Sequence, residues 1–425
     1  MRVLIITYHY PPSPAVGGLR SAGLVKYLPE FGHDPLVLTP EFAGRGRSYP
    51  EVVETGYRDV LADLKAKLRL DPRRSVHQQF KLSEQSSSAA APWHSKVLNF
   101  AASCIAYPDP YKGWTRFAID AIRKFQTGPR IDVILSSAPP ATSAMIAAQA
   151  KALLRCPWIA DFRDLWVDNL AATTPPVLRR MQRRLEKKTL SAADALVTVS
   201  EPWANRLRQS YPSKSVTAIT NGFDPADFAG DCPPLTPFFS ITYTGQLYQG
   251  KRDPSPLLQS LQQLFAAGLL DRRRVRVRFY GPREPWLAAA AQQFGVQDVV
   301  QIEGPVTRSE ALQRQRESQL LLQLGWADTR ETGQHTGKLF EYLGTRRPIL
   351  AVGGVRGVMT ELLQQTGAGV HALSAADLCQ FLAASYRQFE HQGLVAYGGN
   401  PGTVEQYTQR EMARKMSAVI TRAVS

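Results

Sequence analysis

Four short groups of residues combine types and spacings that could do chemistry. Gly17-Gly18 falls between an apolar run and a helical stretch. Backbone amides can approach an anion there, and a helix N-terminus favours negative charge; a tight turn without a ligand would use the same pair. Lys251-Arg252 follows an apolar run and the Gly245 turn, and two adjacent cations can neutralise an anion or form a solvated basic loop. Glu341 is read in the first turn of a helix opened by Thr336-Gly337. Its carboxylate can accept from both hydroxyls of a ribose, or simply complement the helix N-terminus, which is worth under about 1 kcal/mol. Asp161, Arg163 and Asp164 end a buried run. An arginine cannot act as a proton acceptor, so Arg163 suits binding of a phosphate. Asp161 or Asp164 could orient a hydroxyl, and a structural Asp–Arg pair explains the trio equally well. His9 and His33 read as satisfied structural histidines.

Around these groups the sequence shows no convincing triad, zinc pattern or Asp-X-Asp metal motif, so neither metal nor cofactor is expected. Four cysteines stand far apart, which suits a reducing, cytoplasmic setting. A net charge of +15 asks for an anionic partner: nucleic acid, an anionic membrane surface or a phosphate-bearing substrate. No nucleic-acid-binding module is recognisable, so nucleic acid is set aside. No stretch reaches the roughly 18 apolar residues of a membrane span, and the opening MRVLIIT is too short for a signal-peptide core. The chain therefore reads as soluble, or as peripheral on the inner face of the membrane. Six basic residues at helical spacing (Arg179, Arg180, Arg183, Arg184, Lys187, Lys188) and a second set (Lys65, Lys67, Arg69, Arg73, Arg74) are the candidates for such contact.

The elements that must position these groups alternate. Val3–Thr7, a Pro/Gly-rich loop, a helical stretch ending at Gly32 and Pro35–Thr39 make a βαβ opening. Further buried strands are expected at Val133–Ser136, Trp158–Asp161, Ala195–Val199 and Val216–Ile219, separated by helices such as Ala141–Leu154 and Val177–Leu190. After a Pro-rich stretch the rhythm restarts with Ser240–Thr244, Val275–Tyr280, Val299–Glu303, Leu320–Leu324 and Pro348–Val352. With 425 residues, two α/β domains follow, at 1–228 and 237–403, with a long final helix over 404–425. Residues 48–106 break the rhythm and read as an insertion.

Several motifs recur in order at the strand ends: Tyr10-Pro11-Pro12, Gly17-Gly18 and Arg20; Ser136-Ser137-Ala138-Pro139-Pro140; Asp161-Phe162-Arg163-Asp164; Asn221-Gly222-Phe223; Gly245 with Lys251-Arg252; Gly337-Lys338 through Leu343. Each is weak alone. As an ordered set they resemble the retaining GT-B glycosyltransferases of family four, outside the 48–106 insertion. The resemblance implies two Rossmann-like domains with parallel sheets facing an interdomain cleft, the final helix crossing back to the first domain. It also implies transfer of a sugar from a nucleoside-diphosphate sugar to a hydroxyl acceptor. On this resemblance Gly17, Gly18, Gly245, Lys251, Arg252, His335, Thr336, Gly337, Lys338 and Glu341 are expected to hold the donor. Lys251, Arg252, Arg163 and Asp161 are expected to serve the reaction, and Arg20, Asp161, Arg163 and Asp164 the acceptor. A lipid-linked acceptor would suit the basic surface. The family often has a second Glu eight positions before Glu341; here that position is Gly333. A sugar-nucleotide epimerase of the same fold, or an inactive nucleotide-binding scaffold, is the competing reading.

Overall fold

Runs of Val, Ile and Leu buried on both faces make the strands, as expected of a parallel sheet covered by helices on both sides. In the computed structural model, Val3, Leu4, Ile5 and Ile6 are all fully buried, as are Leu320, Leu321 and Leu322. The structure describes residues 1–13, 17–42, 51–60, 62, 103–169, 174–248, 250–326, 328 and 331–425. The chain divides into two compact units, Met1–Ile219 with Ala413–Ser425, and Thr220–Met412.

The first unit holds β1 (Arg2–Thr7), β2 (Asp34–Pro40), β3 (Val52–Thr55), β4 (Val133–Ala138), β5 (Trp158–Phe162), β6 (Ala195–Thr198) and β7 (Ser215–Ala218). They form one sheet in the order β3-β2-β1-β4-β5-β6-β7, every pairing parallel. The order reverses between β1 and β4, where an open α/β sheet leaves a crevice beyond its strand ends. Helix α1 (Gly18–Tyr27) follows β1, α2 (Thr115–Lys124) precedes β4, α3 (Ala141–Leu154) follows β4, and α4 (Pro176–Leu190) and α5 (Glu201–Ser210) flank β6. Asp109 anchors the start of α3, its two oxygens accepting from the Thr142 backbone N–H and hydroxyl at 2.7 Å each.

The second unit repeats the plan with β8 (Phe239–Thr244), β9 (Val275–Tyr280), β10 (Val300–Gly304), β11 (Leu320–Leu324), β12 (Ile349–Val352) and β13 (Gly369–Ala372), in the order β10-β9-β8-β11-β12-β13. Its reversal lies between β8 and β11. The helices are α6 (Ser255–Ala266), α7 (Pro285–Gln293), α8 (Arg308–Arg316), α9 (Gly337–Thr345), α10 (Val358–Thr366), α11 (Ala375–Gln392) and the short α12 (Pro401–Glu405). Helix α13 (Gln409–Val424) ends the chain, and from Ala413 onward it groups with the first unit. There Ser417 Oγ lies 2.8 Å from His33 Nε2.

The structure moves three expected boundaries. The first domain, expected to run to 228, ends at Ile219, and the second unit begins at Thr220. Phe223 pairs with Thr408, and the Phe228 ring occupies the space beside Gly344, so this stretch is packed. The final helix starts at Gln409, not Val404, because the chain first turns through α12, capped by the Asn400 side chain. Within the expected 48–106 insertion, Val52–Thr55 is an edge strand of the first sheet, and 63–102 lies outside the described residues.

Candidate functional site

In the first unit, Thr7, Ser137 and Asp161 stand side by side in register across β1, β4 and β5. The chain past each strand end brings His9, Pro139 and Arg163 to the same edge. Arg20, one turn into α1, meets Asp161 in a two-bond pair: Nε to Oδ2 at 2.7 Å and Nη2 to Oδ1 at 2.9 Å. The two side chains are 2% and 1% exposed. A fork-to-carboxylate pair this buried fixes α1 against β5. As the structure stands, Asp161 offers no surface to an acceptor, contrary to the role expected of it, and Arg20 is committed with it.

Arg163 lies differently. Its Nε donates to Ser137 Oγ at 3.2 Å and its Nη2 donates to the Pro139 carbonyl. Its guanidinium fills the space over Gly17, where a Cβ would come within 1.8 Å of Nη1. Gly17 has an ordinary helical φ of −58°, so room for Arg163, not backbone freedom, requires glycine. The expected anion cradle over Gly17 is thus already filled by a cation of the protein. Gly18 is equally tight, a Cβ there meeting the His9 carbonyl at 3.2 Å. Beside Arg163, burial pushes the Asp164 carboxyl up while Arg163 pulls it down. Burial, then Arg163, lowers the His9 pKa to about 4, so its ring is neutral near pH 7, and Nδ1 has no hydrogen-bond partner.

In the second unit, Gly245 follows β8 with φ +117°, a conformation only glycine takes cheaply. The Lys338 Nζ lies against it, 2.8 Å from where a Cβ would be. Lys338, in the first turn of α9, donates to Tyr243 Oη at 2.7 Å, and burial, then Arg252, holds its pKa well below the usual lysine range. Arg252 is only 6% exposed, and its Nε has no partner. Tyr248 and Trp326 stack around it, with ring centroids 4.9 and 5.9 Å from its Cζ, and Lys251 Nζ lies 5.4 Å from the Trp326 ring. Arg252 lines a small cavity with Gln323, Trp326, Glu331, Gln334 and Thr336. The Thr336 hydroxyl donates to Gln323 Oε1 at 3.2 Å. His335, against the Phe340 ring, is lowered to about 4 by burial, with Nδ1 unpartnered.

Glu341 lies in the second turn of α9, not the first, which weakens the helix-terminus explanation. Its neighbours Leu339, Phe340, Tyr342 and Leu343 are buried on the core side. The carboxylate, with its side chain 19% exposed, meets Arg308 Nε at 3.3 Å, and Arg308 Nη2 reaches Asp227 at 2.6 Å. Burial raises the Glu341 pKa and Arg308 opposes it. Sequence reading missed Arg308, Asp227, Tyr248, Trp326 and Glu331. The first two come from distant parts of the chain, and no local pattern ties them to Glu341. Gly333, where the family often has a Glu, is buried, and its N–H donates to Glu331 Oε1 at 3.1 Å. Among the described residues no group of acidic, histidine or cysteine side chains could hold a metal ion.

Residues 17–222 match the model of the glycosyl transferase 4-like domain. No curated protein matches the chain in sequence. Solved structures similar over the whole length include sucrose-phosphate synthase from Thermosynechococcus elongatus, with TM-score 0.63, 12% identity, and 99% of this chain and 98% of that one covered. Anabaena HepE in complex with UDP gives TM-score 0.60 and 12% identity over 99% of this chain and 100% of that one. A Rickettsia africae glycosyltransferase gives 0.59 and 15% over 100% and 98%. Residues 17–222 are thus similar to a glycosyl transferase 4-like domain, and the chain as a whole has the GT-B fold.

Proposed function

We propose that this chain transfers a sugar, with retention, from a nucleoside-diphosphate sugar to a hydroxyl acceptor in glycan, polysaccharide or glycolipid synthesis in the cytoplasm. The observation that carries the reading is Arg252: a guanidinium 6% exposed, with Nε unpartnered, beyond the strand ends of the second sheet. A buried cation with unused donor capacity calls for an anion. Lys251 beside it and the N-terminus of α9 add positive potential at the same edge. A diphosphate is an anion of matching charge, and HepE, with the same fold, has been solved with UDP.

On this reading Arg252, Lys251, Thr336 and the Gly337 and Lys338 amides face the diphosphate, while Glu341 accepts from the ribose. Departure of the diphosphate adds negative charge, so cations there stabilise the transition state more than the ground state. No side chain need become a nucleophile: a leaving-group phosphate oxygen takes the acceptor proton as the acceptor attacks from the same face. Arg163, at the edge of the first sheet, is the residue assigned to the acceptor, and a lipid-linked hydroxyl is the acceptor class that the chain's charge favours.

Arg252→Ala should lower turnover roughly a hundredfold or more, the loss seen on removing one transition-state donor. Donor affinity should fall less, and Arg252→Lys should keep part of the activity because charge survives while the fork is lost. Turnover and donor binding, measured separately, decide the matter. Near-normal turnover of Arg252→Ala would remove the diphosphate from this site.

A further inference from the structure

We propose that the outer face of α4 is a docking surface for an anionic lipid bilayer. The helix is held to the first unit by one side. Leu178, Glu186, Thr189 and Leu190 are buried there. Glu186 accepts from the Val167 N–H at 3.1 Å and the Tyr211 hydroxyl at 2.9 Å, and Gln182 donates to the Pro108 carbonyl at 3.0 Å.

The opposite side carries an unusual mixture. Val177 and Met181 are 62% and 44% exposed. With Arg184 and Lys188 they follow i, i+4, i+7, i+11 spacing, which places all four on one stripe. Arg180 and Lys187 flank it. Arg180, Arg184, Lys187 and Lys188 are exposed and form no ion pair or hydrogen bond among the described residues. The six basic residues of this helix therefore divide. Arg183 and Arg179 turn to Asp168, at 2.6 and 3.5 Å, and leave the outer stripe to the other four.

Two exposed apolar side chains ringed by four unpaired cations match the chemistry of an acidic bilayer surface. The cations meet headgroup phosphates, and the apolar pair enters the boundary between headgroups and acyl chains. Nucleic acid fits less well: cations would meet its phosphates, but Val177 and Met181 would gain nothing there, and the stripe has no amide side chain to read base edges. Among the described residues no helix is long and apolar enough to cross a membrane, so the contact is peripheral. The inference stands independently of the transfer reading.

The test is co-sedimentation of the full chain with vesicles. Binding is expected to vesicles of phosphatidylcholine with phosphatidylglycerol and not to phosphatidylcholine alone, and to weaken at high salt. Each cation near such a surface contributes about fivefold. The variant Arg180→Ala, Arg184→Ala, Lys187→Ala, Lys188→Ala should lose at least about a hundredfold in partitioning. Val177→Ser with Met181→Ser should lose about tenfold with no change in charge. Arg179→Ala with Arg183→Ala lies on the same helix and should bind nearly as the wild type, which separates this face from net charge. All eight positions are exposed, and unchanged melting temperatures would show that the variants are folded. Equal loss in the Arg179/Arg183 variant, no loss in the fourfold variant, or displacement from vesicles by a short RNA duplex would overturn the proposal.

Discussion

The Arg20–Asp161 pair separates a structural from a substrate-binding role most sharply. Both side chains are at most 2% exposed, and the two bonds of 2.7 and 2.9 Å engage both carboxylate oxygens. Removing one partner leaves an uncompensated buried charge, which costs about 3–5 kcal/mol. Arg20→Ala or Asp161→Asn should therefore take away a large part of the roughly 5–15 kcal/mol that holds a domain together. Replacing both by apolar side chains of similar size, Arg20→Met with Asp161→Leu, should restore much of the loss because no charge is then stranded. A two-unit chain need not unfold in one step, so the unfolding of each unit must be followed separately. Trp114, Trp158, Trp166 and Trp203 report on the first unit, and Trp286 and Trp326 on the second. Guanidinium unfolding should show the first unit's midpoint falling in both single variants while the second unit's stays. If either single variant keeps its midpoint yet loses turnover, the pair acts on substrate, and its assignment to holding α1 against β5 is wrong.

Three further outcomes follow from the geometry. Gly17→Ala must displace Arg163, giving up its bonds to Ser137 and Pro139; about 1.5–3 kcal/mol lost, offset by 0.4–1 from the stiffer unfolded chain, leaves a net cost of about 1–2 kcal/mol. Adding Gly17→Ala to Arg163→Ala should then cost almost nothing, as a double-mutant cycle would reveal. Glu341→Ala should lower nucleoside-diphosphate affinity at least tenfold by calorimetry with under about 1 kcal/mol of stability lost, since Arg308 keeps Asp227. His9 and His335 are both lowered from 6.5 to about 4, so on acidification the unfolded chain takes up these protons first. Stability should fall as pH drops from about 6.5 to 4, by up to about 3 kcal/mol for each. His9→Gln should flatten this slope in the first unit's transition and His335→Gln in the second's; unchanged slopes would refute both assignments.

Sheet strands were legible because burial on both faces leaves a plain mark: Ser240–Thr244 and Leu320–Leu324 are found, to within a residue, where the apolar runs placed them. Val52–Thr55 and Gly369–Ala372 were not, since an edge strand needs little apolar sequence and Gly369-Val370-His371 carries none of the usual run. The helix boundary at Gln409 was missed because Pro401 and Asn400 cap a separate short turn within what reads as one amphipathic stretch. For the candidate site, adjacency in sequence is what singled out Lys251-Arg252 and Arg163. The partners that decide what these residues are free to do, Gly17 for Arg163 and Trp326 for Arg252, come from other strands' ends and leave no local trace.

The glycines show why position was readable before role. In both units a glycine follows the first strand of the sheet, beside the reversal of strand order. A glycine there suggests a bare backbone waiting for phosphate. In both units the space is instead filled by a basic side chain of the protein, Arg163 against Gly17 and Lys338 against Gly245. A missing Cβ makes room for whatever approaches, and in sequence a ligand and a distant side chain look alike. The exchange still favours an anion at each edge, but the attraction comes from side chains as well as amides. Side chains can be removed one at a time, whereas backbone amides cannot. Each edge can therefore be tested independently, by Arg163→Ala in the first unit and Lys338→Ala in the second, with Gly17 and Gly245 left in place.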